Sequence, residues 1–475
     1  MTLFTKKLVL AMLLMAFFQV GMASGPDTLK VAFTMDDLYA LILKNHPVAR
    51  QAYLLSEDAR QQLRFARGAF DPKIFSDYSA KDFKGTNYFQ YWNTQLKVPV
   101  WLGGVDLFGG FERNRGQFLS PESITNNGAG LAFAGVAVPL GQGLFIDQRR
   151  AIIRQAQIFQ ELAEAEKVKI LNKLLLEVAK DYWQWYFFHY QYELFQEGFE
   201  LALFRFNAVK LRVMQGDQAP IDSVEAKILV QQREINLRTA EIDLQNARLL
   251  LSNHIWNSDG EPVELSENLA PIREVPLDRE TQSLSELHDF ALTNHPEILK
   301  VRFKIDQLEV ERNLAREMRK PVINFKYNFL TATGPGNTPP FDIPFFANNY
   351  KMGMEFMFPI FLRKERAKLQ LTNIKLDQTN LDRMNLNRII INDINVLYNE
   401  VRNLEQMLGL QEEVVRNNRI LLNGERSKFF NGESSLFLVN VRESNLIDTE
   451  VKYIDMVHKF GKAMAELRWA AGMGQ

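Results

Sequence analysis

Two stretches of this chain, 151–256 and 367–472, are copies of one another. At a constant offset of 216 residues Ala151 meets Ala367, Leu174 meets Ile390, Val178 meets Ile394, Gly216 meets Gly432 and Leu251 meets Leu467, with no insertion. In both copies apolar residues return by steps of three and four. They are Ile390, Ile394, Leu397, Val401, Leu404 and Leu408 in one, and Leu171, Leu174, Val178, Tyr182 and Trp185 in the other. That is the 3.5 rhythm of a coiled coil. Each copy is broken once, at Gln215-Gly216-Asp217 and at Asn431-Gly432-Glu433, where glycine lets the chain reverse. Each is therefore predicted to be a helical hairpin. The first arm, from Arg150 to Gln215, would run ~100 Å at ~1.5 Å per residue, longer than any ordinary globular domain requires.

Helical periodicity first appears at Thr34. Thr34-Met35-Asp36-Asp37 is a capping-box pattern, and at an offset of 249 it returns as Ser283-Leu284-Ser285-Glu286. At the same offset Asn45-His46-Pro47 becomes Asn294-His295-Pro296, Arg67 becomes Arg316, Pro72 becomes Pro321 and Tyr78 becomes Tyr327. The chain thus reads as a tandem duplication, each half running helix, strands, long helical hairpin. A proline ends the short helical stretch in each half. The expected organisation is a segment at 1–23, a first repeat over 24–256, a linker over 257–282 and a second repeat over 283–475. The two offsets differ by 33 residues, so the first half carries that much extra chain between its short helix and its hairpin.

After Pro321 the period changes to two. Ile323, Phe325, Tyr327 and Phe329 alternate with Asn324, Lys326 and Asn328. A breaker-rich loop follows at 333–340, then Met352, Met354, Phe356 and Phe358 against Lys351, Gly353 and Glu355, closed by Pro359. In the first half Lys73–Phe83 and Gly130–Val138 read as strands, the latter closed by Pro139. The surplus lies between them as a further hairpin over 88–113, turning at Gly103-Gly104. Strands of about ten residues with an aromatic outer and a polar inner face fit a transmembrane barrel. A soluble antiparallel sheet with one wet face shows the same alternation. Residues 1–23, the aromatic density and the adjoining rods together favour the barrel: Lys6 and Lys7, an apolar run from Leu8 to Val20, then Gly21 and Ala23 read as a secretory signal, the alternative being an N-terminal membrane anchor. No other stretch has the ~20 apolar residues of a membrane helix, so entry into a membrane requires a closed barrel.

Composition removes several function classes. A net charge of -1 gives no basic footprint for nucleic acid. There is no cysteine, which excludes disulfides, thiolate metal sites and a lipidated N-terminal cysteine. No phosphate-binding loop, zinc-protease or serine-hydrolase motif occurs. No enzyme activity, cofactor or metal site is expected. His46 and His295 occupy equivalent places in the repeat and read as helix-end residues, since no third ligand lies near in sequence. The run from Tyr182 to Phe188 lies mid-helix in heptad phase and reads as rod packing. Arg363-Lys364-Glu365-Arg366 reads as a solvated helix start.

The duplicated Asn-His-Pro, the proline before the first strand, the proline closing the last, the glycine-broken hairpins and the closing Ala463, Leu467 and Gly472 resemble the TolC family of outer-membrane efflux channels. The resemblance covers Thr34 to Gly472. It implies an α+β membrane protein in the outer membrane: a trimeric transmembrane β-barrel, continued by a long coiled-coil tunnel of twelve helices in the periplasm. It also implies a passive exit duct in a tripartite export system, a homotrimer in outer-membrane lipid that docks onto a periplasmic adaptor and an inner-membrane transporter. The hairpin ends Gln215, Gly216, Asp217, Asn431, Gly432 and Glu433 would be the docking tips. In the family's best-known member acids lie six and nine residues after the second-half glycine. Here those places hold Leu438 and Val441, and the first-half equivalents are Asp222 and Glu225. These four are the candidate aperture residues, although Asp222 and Glu225 read equally well as solvated first-turn acids. Four strands per chain cannot close a wide barrel, and three chains would supply twelve strands, or eighteen if the extra hairpin joins the wall. The competing function is a periplasmic coiled-coil scaffold without a pore.

Overall fold

A computed structural model describes residues 31–125, 129–273, 282–332 and 349–474. The signal segment 1–23, the loop at 333–340 and the later part of the linker lie outside the described residues. The chain divides into two compact units, each drawing on both halves of the sequence. One comprises Met1–His46, Glu177–Thr281 and Asn403–Lys462; the other comprises Pro47–Leu176, Gln282–Arg402 and Ala463–Gln475.

The short helical stretch of each half is two helices: α1 (Met35–Asn45) and α2 (Pro47–Arg67), then α5 (Leu284–Asn294) and α6 (Pro296–Glu317). Both capping boxes form, Thr34 with Asp37 and Ser283 with Glu286. The division falls at the Asn-His-Pro motif because the residue before proline is driven out of helical backbone. His46 and His295 are extended, with ψ 133° and 126°. Proline then supplies the first position of the next helix, where its missing N–H costs nothing.

The long stretches are helices α3 (Gln148–Gln215) and α4 (Pro220–Ser252), then α7 (Arg363–Phe430) and α8 (Leu436–Ala470). The heptad stripe is the buried one. Leu171, Leu174, Val178, Tyr182 and Trp185 are all buried, as are Ile390, Ile394, Val401, Leu404 and Leu408. The aromatic run packs within this stripe. Trp185 is fully buried, Tyr182 donates to the Phe33 carbonyl at 2.9 Å and Tyr190 to that of Pro271 at 2.7 Å. Those carbonyls belong to a two-stranded parallel ribbon, β1 (Val31–Phe33) with β6 (Leu269–Pro271), so part of the linker is paired chain. Tyr186 donates to the Arg273 carbonyl, and burial pushes its phenol up to about 12.

The other unit holds one antiparallel sheet. Its strands are β2 (Lys73–Phe83), β3 (Thr86–Pro99), β4 (Asp106–Arg115), β5 (Leu131–Pro139), β7 (Val322–Ala332) and β8 (Tyr350–Met357), and they lie side by side in that order. The surplus hairpin is β3–β4, and it sits inside the sheet between β2 and β5. Among the described residues this sheet therefore has six strands, two more than the four expected without the hairpin. Hydrogen bonding accounts for this: β3 pairs with β2 along the whole of β2, and β4 with both β3 and β5, so neither strand of the hairpin is left with an open edge.

Candidate functional site

The sheet's two faces separate by chemistry, and the register shows how far the separation extends. Phe325 pairs with Val138 on one side and Met354 on the other; Val136 pairs with Leu107, and Leu107 with Val98. One face therefore carries Ile74, Tyr78, Trp92, Leu96, Val98, Leu107, Phe111, Val136, Val138, Phe325, Tyr327, Met354 and Phe356. The alternate residues form the other face, with Asp77, Asn93, Gln95, Lys97, Asp106, Glu112, Asn324, Lys326 and Glu355. At the helix-side end of the polar face charges interlock. Asp106 receives Lys97 at 3.0 Å and Arg149, from the first turn of α3, at 2.7 Å. Arg149 also reaches Asp147 at 3.0 Å, Asn324 donates to Glu355 at 3.3 Å, and Lys326 lies 4.7 Å from the Phe108 ring centre. A concavity lined by Lys97, Asp106, Arg149, Lys326 and Glu355 opens there.

At the hairpin ends both glycines are left-handed, Gly216 at φ +83° and Gly432 at φ +80°. Each closes its helix by the same pair of bonds. The Gly216 N–H donates to Val213 at 3.1 Å and that of Asp217 to Arg212 at 2.9 Å; the Gly432 N–H donates to Phe429 at 3.1 Å and that of Glu433 to Lys428 at 2.9 Å. This Schellman geometry needs a residue tolerant of positive φ. Gln215, Asp217, Asn431 and Glu433 are exposed around the turns. The sequence reading missed the apolar side chains beside them: Met214 is 75% exposed, Ile221 68%, Phe430 84% and Phe437 58%.

The four aperture candidates lie in the first turns after these ends. Asp222 and Glu225 sit one turn apart on α4, half-buried and exposed respectively; Leu438 and Val441 sit one turn apart on α8, exposed and half-buried respectively. Beside Val441 is a network that sequence reasoning did not reach. Glu443, 4% exposed, pairs with Arg205 of α3 and with Arg426 of α7 at 3.3 Å. Arg205 also donates to Asn440 at 3.1 Å, and the buried Arg233 of α4 donates to Ser444 at 2.8 Å. Burial pulls the Arg233 guanidinium down, against the opposing charges of Glu443 and Asp448. The one available signal was phase: Val439, Glu443 and Ile447 step by four along the buried stripe of α8, which puts a carboxylate where an aliphatic residue belongs.

The remaining candidates are structural. Arg363 opens α7 and lies 5.0 Å from the Phe361 ring centre. His295 caps α6, its Nδ1 accepting from the Glu297 N–H at 3.2 Å, while His46 is buried near His254 and Trp256. Among the described residues no group of three or more histidine or acid side chains is placed to hold a metal, and no helix is long and apolar enough to cross a membrane.

This fold, long helical hairpins with a six-stranded antiparallel sheet, is shared with solved outer membrane channels. Residues 287–473 match the family described as Outer membrane efflux protein. No curated protein matches the chain. Among solved structures it is similar to the outer membrane channel CmeC of Campylobacter jejuni, at 13% identity and a TM-score of 0.61, covering 93% of this chain and 86% of that one. The open state of the Neisseria gonorrhoeae channel MtrE matches at 15% identity and a TM-score of 0.63, over 96% and 94% of the two chains. VceC of Vibrio cholerae matches at 13% and 0.58, over 92% and 96%.

Proposed function

We propose that the chain is one protomer of a homotrimeric exit duct in a tripartite export system. Three copies close one barrel in the outer membrane, and their helical hairpins line a periplasmic tunnel. The duct is passive and performs no catalysis; an inner-membrane transporter drives export and a periplasmic adaptor joins it to the hairpin ends. The tips at Gln215–Asp217 and Asn431–Glu433, with Met214, Ile221, Phe430 and Phe437 around them, offer the adaptor an apolar surface crossed by two turns. Asp222 and Glu225 line the aperture with carboxylates, and Leu438 and Val441 form its apolar collar. The duplicated organisation, a signal over 1–23 and repeats over 24–256 and 283–475 joined by 257–282, supplies each protomer with two hairpins.

The observation that carries this reading is the partition of the sheet. One face is mainly aliphatic and aromatic, with Gln90 and Arg113 among the exceptions, and the other holds most of the charged and amide groups, with Phe75, Phe108 and Phe133 among them. A wall between lipid and water needs that division; a periplasmic scaffold would leave the apolar face in water. The test is expression followed by membrane fractionation and planar-bilayer recording. Detergent-dependent release from the outer membrane as a trimer, with conductance after reconstitution, is the expected result. Release by salt or alkali, without conductance, would favour the scaffold.

A further inference from the structure

We propose that β2 and β8 are the closing edges of a barrel to which each chain gives six strands, eighteen in all, and that the occupant of each edge is a second copy of this chain. This rests on the trimeric duct proposed above and specifies its wall.

Three independent observations carry it. The first is that the hairpin β3–β4 keeps the side-chain phase of its neighbours at most positions. Trp92, Leu96, Val98, Leu107 and Phe111 stand on the mainly apolar face, with Arg113 as an exception; Asn93, Gln95, Lys97, Asp106 and Glu112 stand on the other, with Phe108 among them. A hairpin folded away from the wall would have no reason to keep that phase.

The second is the stagger of the strand ends. One hydrogen-bonding row runs Lys73, Lys97, Phe108, Gly135, Asn328, Lys351 across the sheet. The helix-side ends of the strands climb away from that row. The end is Lys73 itself on β2, then Pro99 and Asp106 two residues off, Pro139 four, and Val322 and Met357 six. At ~3.3 Å per residue and ~4.8 Å between strands, six residues over the five spacings of the six strands is a tilt of roughly 40°. Closed barrels have strands tilted about 35–45°. The two hairpin strands take their share of the climb, as members of the wall must.

The third is the state of the edges. Every residue of β2 and of β8 is exposed, including Ile74, Tyr78, Met352, Met354 and Phe356. Long apolar edges with unpaired backbone groups require a partner. An even number of antiparallel strands leaves β2 and β8 running in opposite directions, so β8 of one copy can pair antiparallel with β2 of the next. Matching the helix-side ends sets Lys73 against Met357 and therefore Tyr78 against Met352, which keeps the two faces in phase. Since barrel diameter grows nearly linearly with strand number, the opening is about one and a half times that of twelve strands.

The absence of cysteine makes a clean test. In the full-length protein, Y78C is combined in turn with Y350C, M352C and M354C and oxidised in outer membranes. Separately, a fluorophore is attached at L96C, L107C, Q95C or E112C, with F325C and M354C as references, and quenched by nitroxide lipids after reconstitution. The expected results are a covalent trimer from Y78C with M352C, and quenching at Leu96 and Leu107 equal to that at the references, with little at Gln95 and Glu112. References quenched but Leu96 and Leu107 unquenched would put the hairpin outside the wall and overturn the eighteen-strand barrel, leaving the duct intact. A detergent-stable trimer that none of the three pairs cross-links would also overturn it. Unquenched references would instead remove the membrane barrel itself.

Discussion

Arg205 on α3 and Glu443 on α8 form an ion pair 238 residues apart in sequence, with the carboxylate almost wholly buried and a second guanidinium, that of Arg426, 3.3 Å away. Asn440 ties the same arginine to α8, and Ser444 ties Arg233 there from α4. The hairpin ends are therefore joined by charge as well as by apolar packing.

Removing the carboxylate leaves the partly exposed guanidinium groups of Arg205 and Arg426 without their counterion, and solvent screening keeps the cost below the roughly 3–5 kcal/mol of a fully buried pair. Glu443→Ala is expected to loosen the ends of the hairpins while leaving the sheet intact. Limited proteolysis should show new cleavage near Gly216 and Gly432, and Glu443→Gln, which retains an acceptor, should show less. Equal protease resistance in wild type and Glu443→Ala would mean that packing alone holds the ends.

The tips separate conformation from crowding. A Cβ at Gly216 or Gly432 would meet nothing within 4 Å, so the cost of a side chain there is the left-handed backbone, about 1–2 kcal/mol. Asparagine tolerates that conformation better than most residues. Gly216→Val with Gly432→Val should abolish export while preserving the trimer, and the paired asparagine variant should keep most of it. Export retained by the valine pair would place adaptor docking elsewhere.

Acid should destabilise the protein in a defined window. Burial lowers the pKa of His295 and of His46, outweighing Glu297 in the case of His295. The unfolded chain then binds more protons than the folded one below the unperturbed value of about 6.5. The stability gained from keeping these rings neutral is present above about pH 6.5 and lost as pH falls toward their folded values. His295 has a specific reason to resist protonation: its Nδ1 accepts the Glu297 N–H. His295→Asn retains an acceptor at that cap and should reduce the fall in melting temperature between pH 7.5 and 5.5. An unchanged pH slope in this variant would clear His295 of the effect.

Asp222 and Glu225 should set ion preference. Threefold repetition of both near a constriction attracts cations. Asp222→Asn with Glu225→Gln is expected to weaken cation selectivity and divalent block in planar bilayers, and Leu438→Ser with Val441→Ser to raise resting conductance. If reversal potentials in a salt gradient do not move with the double neutralisation, the acids serve only the first turn of α4.

Much of this architecture is periodic, and periodicity is legible. The heptad steps from Ile390 to Leu408, the breaks at Gly216 and Gly432 and the two-residue alternation after Pro321 are local consequences of helix and strand geometry. So are the capping boxes at Thr34 and Ser283, where a side chain and an amide three residues away suffice. The six-stranded sheet was half legible: the strands could be read, but the place of β3–β4 between β2 and β5 could not. Backbone donors and acceptors are the same at every residue, so nothing local in Thr94 or Phe111 names its partner strand. The pairing of the linker strand β6 with β1, the phenols of Tyr182 and Tyr190 on that ribbon and the burial of Glu443 among arginines are of the same kind. Each joins groups remote in sequence, and only the tertiary arrangement brings them within hydrogen-bonding reach.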